Sequence, residues 1–145
     1  MFRVFYRRAV FHFYTKLLKL MNKFLNTIKT QWILFTLFTL VAITFLSLWP
    51  LDHLPPVPGS DKTHHVIAYA ALMLPAALRK PRHWILIGVL FVAYSGVIEL
   101  LQPYVNRYGE WMDMLANTAG IVCGMIVAEF IRLFTSSNRE LSRSE

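Results

Sequence analysis

Residues 32–49 read Trp-Ile-Leu-Phe-Thr-Leu-Phe-Thr-Leu-Val-Ala-Ile-Thr-Phe-Leu-Ser-Leu-Trp, and no ionisable side chain interrupts them. Eighteen helical residues rise about 27 Å, close to the roughly 30 Å of a bilayer's hydrocarbon core. The stretch is apolar all round and has no stripe to turn toward a soluble core. Trp32 and Trp49 stand at its two ends, where a membrane interface favours tryptophan. The basic lead before it is too long for a signal peptide, and Ser47-Leu48-Trp49-Pro50 is no small-residue cleavage site. These residues predict a retained transmembrane helix.

Further along the chain, residues 84–102 form a second clear span, interrupted only by Glu99. Residues 112–134 form another, with Asp113 and Asn117 at its start and Glu129 near its end. Residues 63–79 are ambiguous: the continuous apolar run is 66–78, a length that suits a re-entrant segment as well as a span, and Pro75 would bend it. Charge resolves the ambiguity. With four spans and the N-terminal arm cytoplasmic, 13 of the 15 Lys and Arg residues face the cytoplasm, and only Lys62 and Arg107 lie outside. If residues 63–79 failed to cross, the cations would divide 8 to 7. The positive-inside rule selects the first arrangement. The expected fold is all-α: a basic amphipathic interfacial helix in residues 1–30, a four-span membrane bundle in 31–134 (spans 32–49, 63–79, 84–102 and 112–134), and a cytoplasmic tail in 135–145.

Composition agrees with this reading. Only 16% of the 145 residues are charged and 56% are hydrophobic, against roughly 25% charged in an ordinary soluble domain. The formal net charge is +7. Seven cations lie in the first 30 residues with no acid among them, and the remaining 115 residues balance at eight of each sign. The arm interleaves its cations with Phe2, Phe5, Tyr6, Phe11, Phe13, Tyr14, Leu17, Leu18 and Phe24, the pattern of a helix lying on anionic lipid headgroups rather than on nucleic acid. Cys123 is the single cysteine, so no intramolecular disulfide forms. The tail from Ser136 is expected to fray.

Polar groups within spans are costly, so their positions are informative. In the four-span arrangement His65 and Tyr69 lie about 6 and 12 Å below Asp61, Glu99 about 6 Å below the same surface, and Asp113 and Asn117 about 3 and 9 Å deep. Asp61, Lys62, His65, Tyr69, Glu99, Gln102, Asp113 and Asn117 thus gather in the outer half of the bilayer, with Arg107 in the short loop above them. The pairs Asp61/His65, His65/Tyr69 and Asp113/Asn117 have i,i+4 spacing, and Glu99/Gln102 has i,i+3. Ala116, Gly120, Gly124 and Ala128 make a small-residue stripe that admits a close helix, either within the chain or from a second copy, so a homo-oligomer through the Gly120/Gly124 face is an open reading. His12, His53 and His83 read as surface or interface residues. Pro55-Pro56-Val57-Pro58-Gly59 reads as a stiff loop delivering Asp61 to a helix start that Ser60 or Asp61 caps.

Asp61-Lys62-Thr63-His64-His65-Val66-Ile67-Ala68-Tyr69 resembles the Asp-Lys-x-x-His-x-x-x-Tyr motif of VanZ-like membrane proteins. Glu99-Leu-Leu-Gln102, Arg107, and Asp113-Met-Leu-Ala-Asn117-Thr-Ala-Gly120 look like the rest of that signature, so the resemblance covers about residues 50–128. The family takes its name from a protein associated with low-level resistance to teicoplanin, a lipid-tailed glycopeptide. The resemblance implies a multi-pass protein of the bacterial cytoplasmic membrane linked to the envelope, and it supplies no mechanism; a role in resistance for this chain is analogy.

Several functions compete for the polar cluster. The first is binding of an envelope lipid, a lipid-linked intermediate or a glycopeptide-like amphiphile: Arg107 would take a phosphate or carboxylate bidentately, Lys62 would add a point charge, and the acids and amides would meet hydroxyls. If the site processes its ligand, Glu99, Asp113 and His65 are the acid–base candidates, although no nucleophile motif or phosphate loop accompanies them. A metal reading would use His64 or His65 with Glu99 and Asp113. It lacks a His-x-x-x-His or Glu-x-x-His pattern and is opposed by Lys62 and Arg107, so neither metal nor cofactor is expected. Transport would need polar groups in the inner half of the bundle, which is apolar. The structural alternative is a hydrogen-bond and ion-pair network that only packs helices, but two cations leave Asp61, Glu99 and Asp113 short of neutralisation unless one carboxyl is protonated or His65 is charged.

Overall fold

The computed structural model describes residues 2–49 and 60–141, with side-chain surroundings for 12–49 and 60–136. His53, the proline-rich segment 55–59, and the side chains of Arg3, Arg7, Arg8, Arg139 and Arg143 lie outside the described residues. Among the described residues there is no strand. The helices are α1 (Phe2–Thr30), α2 (Trp32–Leu48), α3 (Asp61–Arg79), α4 (Trp84–Leu101) and α5 (Trp111–Leu141), with a short 3-10 turn (Gln102–Val105) after α4.

Local chemistry sets the boundaries. The Ser60 hydroxyl accepts from the Thr63 N–H at 3.3 Å and caps α3, satisfying one of the orphan donors of a first turn. At the other end Lys80 adopts a left-handed conformation, φ 49°, and its N–H returns to the Ala76 carbonyl at 2.8 Å. Pro81 follows and cannot extend the helix. The helix continues through Pro75 without interruption. Asn106, at φ 57°, closes the 3-10 turn, a conformation that asparagine tolerates well. One boundary departs from expectation: α5 runs on to Leu141 through the segment expected to fray. Thr135 and Ser136 return their hydroxyls to the carbonyls of Ile131 and Leu133, so the polar start of the tail satisfies itself in helical form.

α3 occupies the centre, packed along its length against α5 and also touching α1, α2 and α4. Its Tyr69, Leu72, Met73, Pro75, Ala76, Ala77 and Leu78 are buried. The approach to α5 depends on glycine. A Cβ on Gly120 would strike the Val66 carbonyl, and one on Gly124 would stand 2.6 Å from the Ala70 carbonyl oxygen. The small-residue stripe is therefore filled by α3 of the same chain. The expected Gly120/Gly124 face is not free for a second copy.

The outer surfaces of α2, α4 and α5 are apolar: Leu34, Phe38, Val41, Leu90, Val97, Ile126 and Phe130 are all exposed. A jacket of this extent belongs in lipid rather than in water. Two segments, Trp84–Val105 and Trp111–Ser136, are long and apolar enough to cross a membrane, and α2 with His12–Thr30 makes a third candidate bent by 75°. α3 does not qualify by hydropathy, because Asp61, Lys62, His64 and His65 open it; its apolar remainder is covered by its neighbours.

The helices run up-down-up-down from α2 to α5. Lys62 meets Asp113, and Lys80 meets Glu129, so α3 and α5 are parallel. Thr44 of α2 and Tyr94 of α4 share a hydrogen bond at 2.7 Å midway. One end of the bundle joins the N-termini of α3 and α5 to the C-termini of α2 and α4. At the opposite end Glu129 takes Lys80 at 2.8 Å and Arg132 at 3.0 Å, while Lys80 sits 5.2 Å above the Trp84 ring.

Candidate functional site

The first end of the bundle holds the polar residues. His65 Nδ1 lies 2.9 Å from Asn117 Oδ1, and Asn117 Nδ2 donates to the Ser95 hydroxyl at 2.9 Å. A carbonyl oxygen requires a donor opposite it, so this network assigns the proton of His65 to Nδ1. The second nitrogen, Nε2, then faces Asp113 Oδ2 at 3.7 Å and Asp61 Oδ2 at 3.8 Å. Asp113 is buried, its side chain 5% exposed, whereas the Asp61 side chain is 65% exposed. Asp113 uses its other oxygen for Lys62, at 3.4 Å, and Lys62 also reaches Glu110 at 3.1 Å. The hydrogen bond to Glu110 holds the Lys62 ammonium above its ordinary pKa, so it is charged at physiological pH.

Glu99 sits beside this cluster on α4. One of its oxygens, Oε2, accepts from the Glu110 backbone N–H at 3.2 Å. With the Gln102 amide turned so that nitrogen meets acceptors, Gln102 donates to the same oxygen at 2.9 Å and to the Tyr108 carbonyl at 3.3 Å. The other oxygen, Oε1, is buried without a hydrogen-bond partner among the described residues. Gly109 sits so close to the Glu99 carbonyl that no side chain fits there. The loop is thereby held against the end of α4.

A family model described as VanZ/LLP1 matches residues 4–132. The chain belongs to the VanZ/LLP1 family. The match takes in α1 and α2 as well as the motif-bearing segment, a longer stretch than the 50–128 on which the resemblance rests. No curated protein and no solved structure matches the chain.

In this VanZ-family protein eight of the nine expected site residues collect at one end of the bundle, in two groups, with Tyr69 buried one turn further along α3 than His65. Asp61, Lys62, His65, Asp113 and Asn117 line the seam between α3 and α5. Glu99, Gln102 and Arg107 surround the end of α4. Tyr69, Gln102, Asp113 and Asn117 are buried, leaving Asp61 and Lys62 at the exposed edge and His65 and Glu99 behind them. The Tyr69 hydroxyl, on a residue 1% exposed, has no hydrogen-bond partner among the described residues.

Arg107 departs most from expectation. Among the described residues it pairs with no carboxylate; its Nη1 donates to the carbonyls of Leu46 at 2.9 Å and Trp49 at 3.3 Å. Those carbonyls end α2 and lack intrahelical donors, so a cation there is favoured. One nitrogen of the guanidinium expected to receive an anionic ligand is thus spent on the end of α2. The metal donor set also changes: Asp61 stands with His65 and Asp113, their ligand atoms all within 4.8 Å of one another, and Glu99 is not part of the group.

Two residues escaped the sequence reading. Glu110 links Lys62 to the Glu99 carboxylate, and its signal was the i,i+3 spacing to Asp113. Ser95 anchors Asn117, and it lies one turn before Glu99 on the same helix face.

Proposed function

We propose that this VanZ-family membrane protein holds the polar head of an envelope lipid, a lipid-linked intermediate or a glycopeptide-like amphiphile at an outward-facing site between α3, α4 and α5. It sits in the bacterial cytoplasmic membrane with four spans, and its basic arm and C-terminal tail face the cytoplasm. One observation carries the proposal. Asp61, Glu99, Glu110 and Asp113 converge at one end of an apolar bundle, and Lys62 is hydrogen-bonded to two of them, Glu110 and Asp113. Uncompensated charge at the edge of a membrane bundle is expensive, and proteins retain it for function.

The ligand-facing edge is Asp61, Lys62 and Glu110, all exposed. Behind it Asp113, Asn117 and Ser95 hold His65 in place. A head group rich in hydroxyls or amines suits this acceptor-rich edge, with Lys62 left for a phosphate or carboxylate. Among the described residues no hydroxyl or thiol bonds to His65, which favours binding over nucleophilic catalysis. The exposed Tyr104, Tyr108 and Trp111 at this end suit a membrane interface.

Native mass spectrometry of protein released in native-lipid particles tests the reading. A ligand is expected on the wild type and is lost from Lys62→Gln and Asp61→Asn, both surface changes that leave the fold intact. A wild type free of bound mass, or retention by both variants, sinks the reading.

A further inference from the structure

We propose that Asp61, His65 and Asp113 bind a first-row divalent cation such as Mn2+ or Zn2+. The inference goes beyond the lipid reading, because the cation needs no other ligand.

The geometry begins with a gap. A protonated Nε2 beside a carboxylate closes to about 2.7–2.9 Å. His65 Nε2 instead stands 3.8 Å from Asp61 Oδ2 and 3.7 Å from Asp113 Oδ2, too far for a hydrogen bond to either and nearly equal from both. Two ligand atoms each about 2.1 Å from a tetrahedral ion stand about 3.4 Å apart. The three donor atoms, all within 4.8 Å of one another, therefore surround a position for a cation: the two histidine–carboxylate pairs need to close by about 0.3–0.4 Å and the two carboxylates by up to about 1.4 Å, a movement open to the exposed Asp61 side chain.

The donor chemistry agrees. His65 Nδ1 is tied to Asn117, itself tied to Ser95, so the lone pair falls on Nε2 and points at the gap. Orientation of a ligating imidazole by its other nitrogen is the usual support of metal sites. Asp113 divides its work, giving Oδ1 to Lys62 and Oδ2 to the gap. Its side chain is 5% exposed and that of His65 is 11% exposed, so two of the three ligands are shielded from water. One nitrogen and two carboxylates suit borderline divalent ions. Three carboxylates, Asp61, Glu110 and Asp113, face one ammonium, Lys62, leaving two negative charges for a dication to neutralise.

The expected objection was repulsion from Lys62 and Arg107. Arg107 is bound to the end of α2. Lys62 has Glu110 at 3.1 Å to hold it when a cation takes Asp113. Three protein ligands leave coordination positions open on the exposed Asp61 side, where a phosphate or water can enter.

The test uses untagged full-length protein in phosphatidylcholine nanodiscs, stripped with chelator, to which Mn2+ alone is added. Electron paramagnetic resonance is expected to count one bound Mn2+ per chain, with electron-spin-echo modulation from a coordinated imidazole nitrogen. Zn2+ should displace it. Asp61→Asn, at an exposed position, weakens binding about tenfold or more, and Asp113→Asn, which keeps size and shape, abolishes it. Lys62→Gln is expected to bind Mn2+ several-fold more tightly, because a repelling charge is gone. It loses the lipid retained in native particles, so the two proposals fail separately. Neither Mn2+ nor Zn2+ held above the Asp113→Asn level, bound Mn2+ without nitrogen coupling, or equal affinity in Asp61→Asn overturns the assignment.

Discussion

Asn117 has both ends of its amide engaged inside the bundle, one on His65 of α3 and one on Ser95 of α4. Truncation strands two buried partners at once. Such bonds in membrane bundles average about 0.6 kcal/mol, and a stranded buried group costs about 1–3 kcal/mol. Asn117→Ala is accordingly expected to lower unfolding free energy in detergent by about 1–2 kcal/mol, whereas Asp61→Asn changes it by less than about 0.5 kcal/mol. Arg107 makes a second test at this scale. Because it binds the last carbonyls of α2, Arg107→Ala should cost about 1 kcal/mol and loosen α2, with Arg107→Lys recovering part of it. Hydrogen exchange at the end of α2 reports the loosening, and unchanged exchange there would count against a capping role. The motif residues were legible one by one, since ionisable groups in an apolar run stand out. What each one bonds to was not. Arg107 reads as an anion receptor until α2 is seen ending beside it, and a long-range contact of that kind leaves no mark in local spacing.

The α3–α5 pair is the element on which the bundle depends. A methyl on Gly120 meets a backbone carbonyl that has no room to move away. Gly120→Ala is therefore expected to cost about 1–3 kcal/mol in thermal or denaturant unfolding, while Cys123→Ala, three residues on and exposed, stays within about 0.5 kcal/mol. Equal effects would mean that α5 does not seat α3 in this register. Helix limits were readable to within about two residues for α2, α3 and α4, because caps, Pro81 and the uncharged runs are local signals. The partner of the small-residue stripe was not readable, since a stripe records that something comes close without recording what. α1 was legible as basic but not as a packing element: Leu25 is buried, and Met21 and Ile28 lie against the core. Phe13, Leu17, Leu20 and Phe24 stay exposed on the same helix, so a 75° turn at Gln31 leaves an apolar surface free to rest in headgroups.

Across the whole molecule the charges keep to the ends. The interior of the bundle carries the Thr44–Tyr94 and Asn117–Ser95 bonds, while ion pairs occupy the two faces. On the four-span reading a cysteine at Arg82, in a Cys123→Ser background, is labelled by impermeant reagent only after the cytoplasmic side is opened. Labelling of intact cells at that position removes the reading, and with it the outward direction of the site. The distribution of hydropathy has a consequence for how the protein is made. A translocon sorts each helix by its own apolarity, and α3, which hides its modest hydropathy among its neighbours, offers little to sort. On the proposed four-span topology it would be a passenger, accepted by lipid only once α5 presents the groove lined by Gly120 and Gly124. If the four-span proposal holds, the polar cluster on α3 would settle in the bilayer late in synthesis, and assembly of the site and commitment to topology would become a single event.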